Sequence, residues 1–164
     1  MDNLKLRGAT INLSNAGLAA GTTTTYTTTA TTAHVINGMF GTTLAVQTNT
    51  ASPTTDVNTG AAFVALTANQ ATVLVWGVNA AGAIKVAQGS IENTQVGVTT
   101  TAGDFINTPQ FPTLPDDFCP IGYSVHRTSP TGSAFTPGST AWAASGITST
   151  FKNVCVLPTR PQTT

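Results

Sequence analysis

Charged side chains are scarce in this 164-residue chain: they make up 7% of it, six basic and six acidic, and sum to a formal net charge of zero. Ordinary soluble domains carry about 25%. Binding to nucleic acid draws on clustered Lys and Arg that displace counterions, and here Lys5 and Arg7 form the one close basic pair, so a nucleic-acid partner is not expected. Long apolar runs are lacking too. None approaches the length that crosses a bilayer, and Met1 to Arg7 has no apolar core of a secretory signal, so neither a membrane nor Sec export is expected. With two cysteines, Cys119 and Cys155, a disulfide framework is out of reach. Free, buried thiols are the expected reading, although the pair would bond if the fold brought them together.

Neutral hydroxyls take the place of charge, with Thr filling about a fifth of the chain. So little charge protects a free surface poorly against association, which suggests a surface covered by partners. The length fits one domain. Its organising stretch is Ala71 to Ile91. The first arm, Thr72 to Val78, is nearly unbroken β-branched and aromatic sequence, as in a strand covered on both faces. In the second arm, Ile84 and Val86 share one face and Lys85 takes the other. Gly82 between them marks a hairpin turn that requires positive φ.

Around this hairpin, Leu4 and Leu6 alternate with Lys5 and Arg7, and Ile11 and Leu13 flank Asn12, out of phase with the first pair. A turn or bulge near Gly8 would reconcile them. Thr22 to Thr32, broken by Tyr26 and Ala30, reads as a strand because a branched Cβ suits a pleated surface. Asn37-Gly38 is a hairpin signal, with Met39 to Val46 as the returning strand. Residues 47 to 60 read as a loop; Ala61 to Leu66 is open between a short helical turn and a buried strand, with the strand favoured. Four prolines from Pro109 to Pro120, interleaved with Phe111, Leu114 and Phe118, read as an extended crossover laid over the sheets. Ile121 to Arg127 and Phe151 to Leu157 supply two later strands. Many short strands between Gly and Pro turns predict an all-β fold: a single jelly-roll or β-sandwich domain over residues 21–164 with long loops, preceded by an N-terminal arm or edge strand over residues 1–20.

Chemistry-bearing residues are sparse. Asp116 and Asp117 are adjacent, so on an extended chain they point to opposite sides and read as loop charges. His34 and His126 have no neighbouring Cys, Asp or Glu in sequence, and no calcium-loop spacing occurs. Cys119, followed by Pro120, has no nearby base. Ser124 and His126 lie two apart on one strand face, too slight a feature to define a dyad. No catalytic residue, metal or cofactor is expected. Trp76 reads as core. Trp142, flanked by Ala141 and Ala143, is open between core and an exposed contact for a sugar or a neighbouring subunit.

Several stretches resemble a known family: Thr59-Gly-Ala-Ala-Phe63, Leu66-Thr67, Val73-Leu-Val-Trp-Gly-Val78 with the Gly82 hairpin and Val86-Ala-Gln-Gly89, and Pro120-Ile-Gly-Tyr-Ser-Val125. Phe135-Thr-Pro-Gly138, Gly146-Ile-Thr148 and Phe151-Lys-Asn-Val154 with Leu157-Pro158 extend the likeness over roughly residues 20 to 161. They resemble the capsid decoration, or cement, proteins of tailed bacteriophages. The resemblance implies a non-enzymatic structural protein on the outside of an icosahedral capsid, assembled in the host cytoplasm, often a homotrimer, clamping adjacent major capsid proteins. Interface candidates are Leu4, Leu6, Ile11 and Leu13 as an arm added to a neighbour's sheet edge or groove, together with Tyr26 and Trp142. The alternative is a carbohydrate- or receptor-binding β-sandwich of a head fibre or tail, built around Trp142 and the proline-rich loops.

Overall fold

A computed structural model describes residues 8–163, and within them the chain is all-β, with eleven strands and no helix. The strands are β1 (Ile11–Asn12), β2 (Ala19–Ala20), β3 (Thr25–Thr27), β4 (His34–Ile36), β5 (Met39–Phe40), β6 (Thr50–Ala51), β7 (Gln70–Val78), β8 (Ile84–Gln88), β9 (Glu92–Asn93), β10 (Cys119–Thr128) and β11 (Ile147–Asn153). The main sheet runs β11-β10-β7-β8, with β9 also paired to β7. Two three-stranded sheets, β1-β4-β5 and β2-β3-β6, complete a sandwich-like arrangement in which every strand pairing is antiparallel.

The expected hairpin forms the middle of this sheet. Its β-branched arm becomes β7, whose residues from Ala71 to Val78 are all buried. Leu74, Trp76 and Val78 point into one apolar cluster with Leu18, Tyr26, Phe63, Leu66, Phe135 and Trp142; Val73 and Val75 point into another with Phe118, Tyr123 and Val125. Gly82 closes the turn at φ 80°, donating its N–H to Asn79 at 2.9 Å. The Asn37-Gly38 hairpin also forms, with both residues at positive φ, the conformation that fits the right-handed twist of the flanking strands. On the second face, Phe111, Leu114 and Phe118 of the proline-rich crossover pack inward as expected.

Where β10 begins, Pro120 has no N–H for the ladder, and the register with β7 shifts between Pro120 and Gly122. The resulting bulge turns Ile121 into the first cluster beside Trp76, while Tyr123 and Val125 resume alternation on the opposite face.

Several expected strands are shorter than the sequence pattern suggests. Only Thr25–Thr27 of the Thr-rich run enters a ladder, because Thr23 takes φ 55° and hydroxyls on both faces leave burial little say over register. The strand returning from Asn37-Gly38 ends at Phe40, and Leu44 makes a single bridge with Thr32. The expected loop at 47–60 contains β6. Ala61 to Leu66 forms no ladder: Ala62 bridges Thr55 and Leu66 bridges Phe135. The last strand stops at Asn153, whose side chain turns to bond both N–H and C=O of Leu18.

The described part of the N-terminal segment belongs to the domain. Ile11 and Asn12 pair with Val35 and His34, and Ala16 and Leu18 are buried in the first cluster, so residues 8–20 are not set apart from the sandwich. The alternation there is the reverse of expectation: Asn12 is buried and Leu13 is 50% exposed. Asn12 is satisfied in place, donating its N–H to Cys155 O at 3.2 Å and Nδ2–H to Val154 O at 3.4 Å, while Oδ1 accepts from Ser14 N–H at 3.2 Å.

This packing predicts that Leu74→Ala lowers unfolding free energy by about 2–5 kcal/mol, whereas exposed Val98→Ala stays within about 0.5 kcal/mol. Urea unfolding followed by tryptophan fluorescence measures both.

Candidate interaction surface

The arrangement closest to catalytic geometry lies in the core. Strand β10 presents Ser124 and His126 to the first cluster, and β11 places Ser149 opposite His126. The Trp76 indole N–H donates to Ser124 Oγ at 2.9 Å, and Ser124 Oγ lies 2.7 Å from His126 Nε2. His126 Nδ1 lies 2.9 Å from Ser149 Oγ, which donates to Trp142 O at 2.9 Å. Each hydroxyl has one proton to give. Ser149 spends its proton on a carbonyl, so it accepts from Nδ1–H. Nε2 is then bare and accepts from Ser124, which in turn accepts from the indole. This bonding pattern assigns the Nδ1–H tautomer.

The imidazole packs against Phe135 and Trp142, with centroids at 5.0 and 5.2 Å, and these two rings are themselves 6.0 Å apart. Burial pushes the His126 pKa down to about 3, so the ring is neutral at physiological pH. A serine bonded to a histidine elsewhere signals a nucleophile and its base. Here both side chains are fully buried.

The remaining titratable residues form no reactive cluster among the described residues. Burial, with the neighbouring Cys155, pushes the Cys119 thiol up to about 11, away from the thiolate. The two cysteines are free, as expected, but Cys155 is exposed rather than buried. His34 is buried with Nε2 3.0 Å from Asn79 O. Asp117 accepts the Ala80 N–H at 2.8 Å and so holds the β7–β8 turn; Asp116 is exposed. Among the described residues no group of three or more His, Cys, Asp or Glu could hold a metal ion.

Large apolar side chains are among those the chain offers to solvent. Phe40 is 80% exposed and Met39 75%, both on β5, a two-residue edge strand. They sit at the end of the molecule that carries the β7–β8 turn, since Thr42 donates its N–H to Ala80 O at 2.8 Å. At the other end of β7, a narrow ribbon bridged at Thr94–Phe105 and Val98–Thr101 exposes Val96 and Val98. Exposed apolar side chains held on ordered strands mark contact surfaces when they cluster.

The interface candidates read from sequence fall in different places. Leu4 and Leu6 lie outside the described residues. Ile11 is half-buried in β1, and Leu13 is available to solvent. Tyr26 and Trp142 are core side chains, 3% and 4% exposed, and their rings are not available to a partner. Tyr26 packs at a tilt 5.4 Å from Trp76 and bonds Gln47, while Trp142 donates its indole N–H to Thr25 O at 2.7 Å. Phe40 and Met39 were hidden within a longer expected strand. The signal was Gly41, which ends that strand two residues after the turn and leaves too little chain to bury either side chain.

Compared with known proteins, the chain matches no family model, no curated protein and no solved structure.

The neutral His126 predicts acid sensitivity with a definite sign. Its folded pKa lies below the ordinary 6.5, so the unfolded chain binds the proton first. Stability from this group is complete above pH 6.5 and falls toward pH 3, by up to about 1.4 kcal/mol per pH unit. Between pH 6.5 and 5, above carboxylate titration, urea-derived stability of His126→Gln is expected to decline less steeply than that of the parent. Equal slopes would assign the acid sensitivity elsewhere.

Proposed function

We propose that this chain is a non-enzymatic structural protein of a tailed-bacteriophage virion. It binds the outer surface of the capsid and stabilises the shell by bridging major capsid proteins. The observation that carries this reading is the exposure of Phe40 and Met39 on an ordered edge of an almost uncharged all-β body. Such a body works through contact area. Each contact buries modest apolar surface at about 25 cal/mol per Å², and many symmetric copies make the sum large. The sequence resemblance to decoration proteins supports the same reading and adds to it the jelly-roll strand order, a homotrimer and a place on the capsid exterior. The glycan-binding alternative relied on Trp142 as a platform, and the burial of that ring withdraws its main support.

Rebinding to shells from which the protein has been stripped tests the proposal. The parent is expected to co-sediment at a saturating ratio and to raise the shell's melting temperature. Phe40→Asp, folded by near-ultraviolet circular dichroism, is expected to bind at least about tenfold more weakly, as for an aromatic anchor in an interface. A parent that leaves the shell's melting temperature unchanged, or a Phe40→Asp variant that binds like the parent, would count against it.

A further inference from the structure

The two edges of the main sheet are finished differently. A free sheet edge is a row of unpaired N–H and C=O groups, and proteins that work alone cover or blunt it. Strand β8 is covered. On its outer side Val86 O accepts the Val57 N–H at 2.8 Å and the Gln88 N–H donates to Asp56 Oδ1 at 3.0 Å, so the loop around Asp56 closes that edge. Strand β11 ends the sheet on the other side, and no described strand lies beyond it.

The bonds to β10 identify the groups left over. Ser129 donates its N–H to Gly146 O at 2.8 Å and Val154 donates to Ile121 O at 3.2 Å, at the two ends of an unbroken register. Alternation between these ends turns the main-chain groups of Thr148, Thr150 and Lys152 toward β10 and those of Ile147, Ser149, Phe151 and Asn153 away from it. The Ile147 N–H is taken by Ala144 O at 3.0 Å, and the Asn153 side chain ties that end of the strand to Leu18. Among the described residues nothing bonds the N–H or C=O of Ser149 or Phe151. The strand from Ile147 to Lys152 is partly open to solvent throughout.

This edge suits a partner strand. It runs for seven residues without Pro, Gly or a bulge, and Thr148, Thr150 and Phe151 favour extended backbone. Thr148, Thr150 and Lys152 share the face opposite the one that sends Phe151 into the first cluster, and Lys152 is the one charge in the strand. The sequence also matches itself. In an antiparallel pair centred on Thr150, Ser149 of one copy and Phe151 of the other exchange N–H and C=O, and the symmetry repeats the exchange. Thr150 then faces its counterpart and each Lys152 faces a Thr148, so no like charges meet. A centre at Ser149 would call on the Ile147 N–H, already bonded to Ala144, and a centre at Phe151 would call on Asn153, held by Leu18.

We propose that β11 pairs with β11 of a second copy, antiparallel about a two-fold axis through Thr150, so that the two main sheets join into one. The scarcity of charge on the chain removes the repulsion that keeps such edges apart in other proteins. Being isologous, the contact gives assemblies with an even number of chains, by itself or beside a three-fold contact made elsewhere. It uses the main sheet rather than β5 and does not rest on the capsid reading.

Mass in solution tests it. Light scattering on the full-length protein is expected to give an even number of chains. Thr150→Lys sets two ammonium groups face to face and Thr150→Asp two carboxylates, so each variant, folded by near-ultraviolet circular dichroism, is expected to show half the parent's mass. Mixing the two in equal amounts is expected to restore it. In a Cys155→Ser background, Thr150→Cys treated with oxidised glutathione is expected to give a covalent dimer two hydrogens lighter than two chains, with peptide mapping placing the bond at position 150 of both copies. A parent with an odd number of chains, a lone monomer included, would overturn the proposal. So would folded charge variants that keep the parent's mass, a mixture that stays dissociated, or an oxidised Thr150→Cys variant that remains a single chain.

Discussion

The fold depends on one neutral histidine. His126 joins β7, β10 and β11 through a chain of donors that runs in a single direction, from the Trp76 indole through Ser124, the imidazole and Ser149 to the Trp142 carbonyl. Trp76, Ser124, His126 and Trp142 are buried and Ser149 is half-buried, at sites where an unmet bond would cost about 1–3 kcal/mol, and every bond of the array is made. The array does more than satisfy polar groups. Its direction works only with the observed register, since sliding β11 by one residue would carry Ser149 to the other face of the sheet. Aromatic rings then pack against it, with Phe135 and Trp142 near-parallel to the imidazole and in contact with each other, and Phe151 edge-on.

Hydroxyls perform throughout the chain what charges and long strands do elsewhere. Thr128 Oγ1 accepts the Gln70 N–H and donates toward the carbonyls of Thr67 and Gln70, holding the entry to β7. Thr28 Oγ1 takes the Gln47 N–H at 2.9 Å, and Thr72 Oγ1 gives to Gly89 O at 3.1 Å. Backbone groups in irregular segments need partners as much as those in ladders do. A short, uncharged side chain with one donor and two lone pairs supplies them without importing a charge into the interior. This is how a chain with many brief strands stays ordered while keeping a neutral exterior suited to close contact.

The elements readable from sequence were those whose cause is local. The β7–β8 hairpin follows from β-branched density, alternation and one glycine; the Asn37-Gly38 turn follows from positive φ; the crossover follows from its prolines. What escaped reading was decided by partners far along the chain. Trp142 looked open among alanines because its hydrogen-bond acceptor is the carbonyl of Thr25. Asn12 and Leu13 exchanged faces because Val154 and Cys155 offer carbonyls where β1 runs. Ser124 and His126 could be seen side by side, but their meaning came from Ser149 and Trp76, which only strand pairing brings near. At the candidate surface, exposed Phe40 was masked by assuming that an apolar run continues as a covered strand.

The stitching of early residues to late ones also bears on how the chain comes off the ribosome. Asn12 waits for Val154 and Cys155, Leu18 for Asn153, and Thr25 for Trp142. Strand β7, the most apolar in the molecule, has no partner on its β10 side until residues 119–128 have been synthesised. A nascent chain therefore carries one side of its hydrophobic centre uncovered from the completion of β7 until β10 follows, and closes in a late step, with the slow kinetics expected of distant pairings.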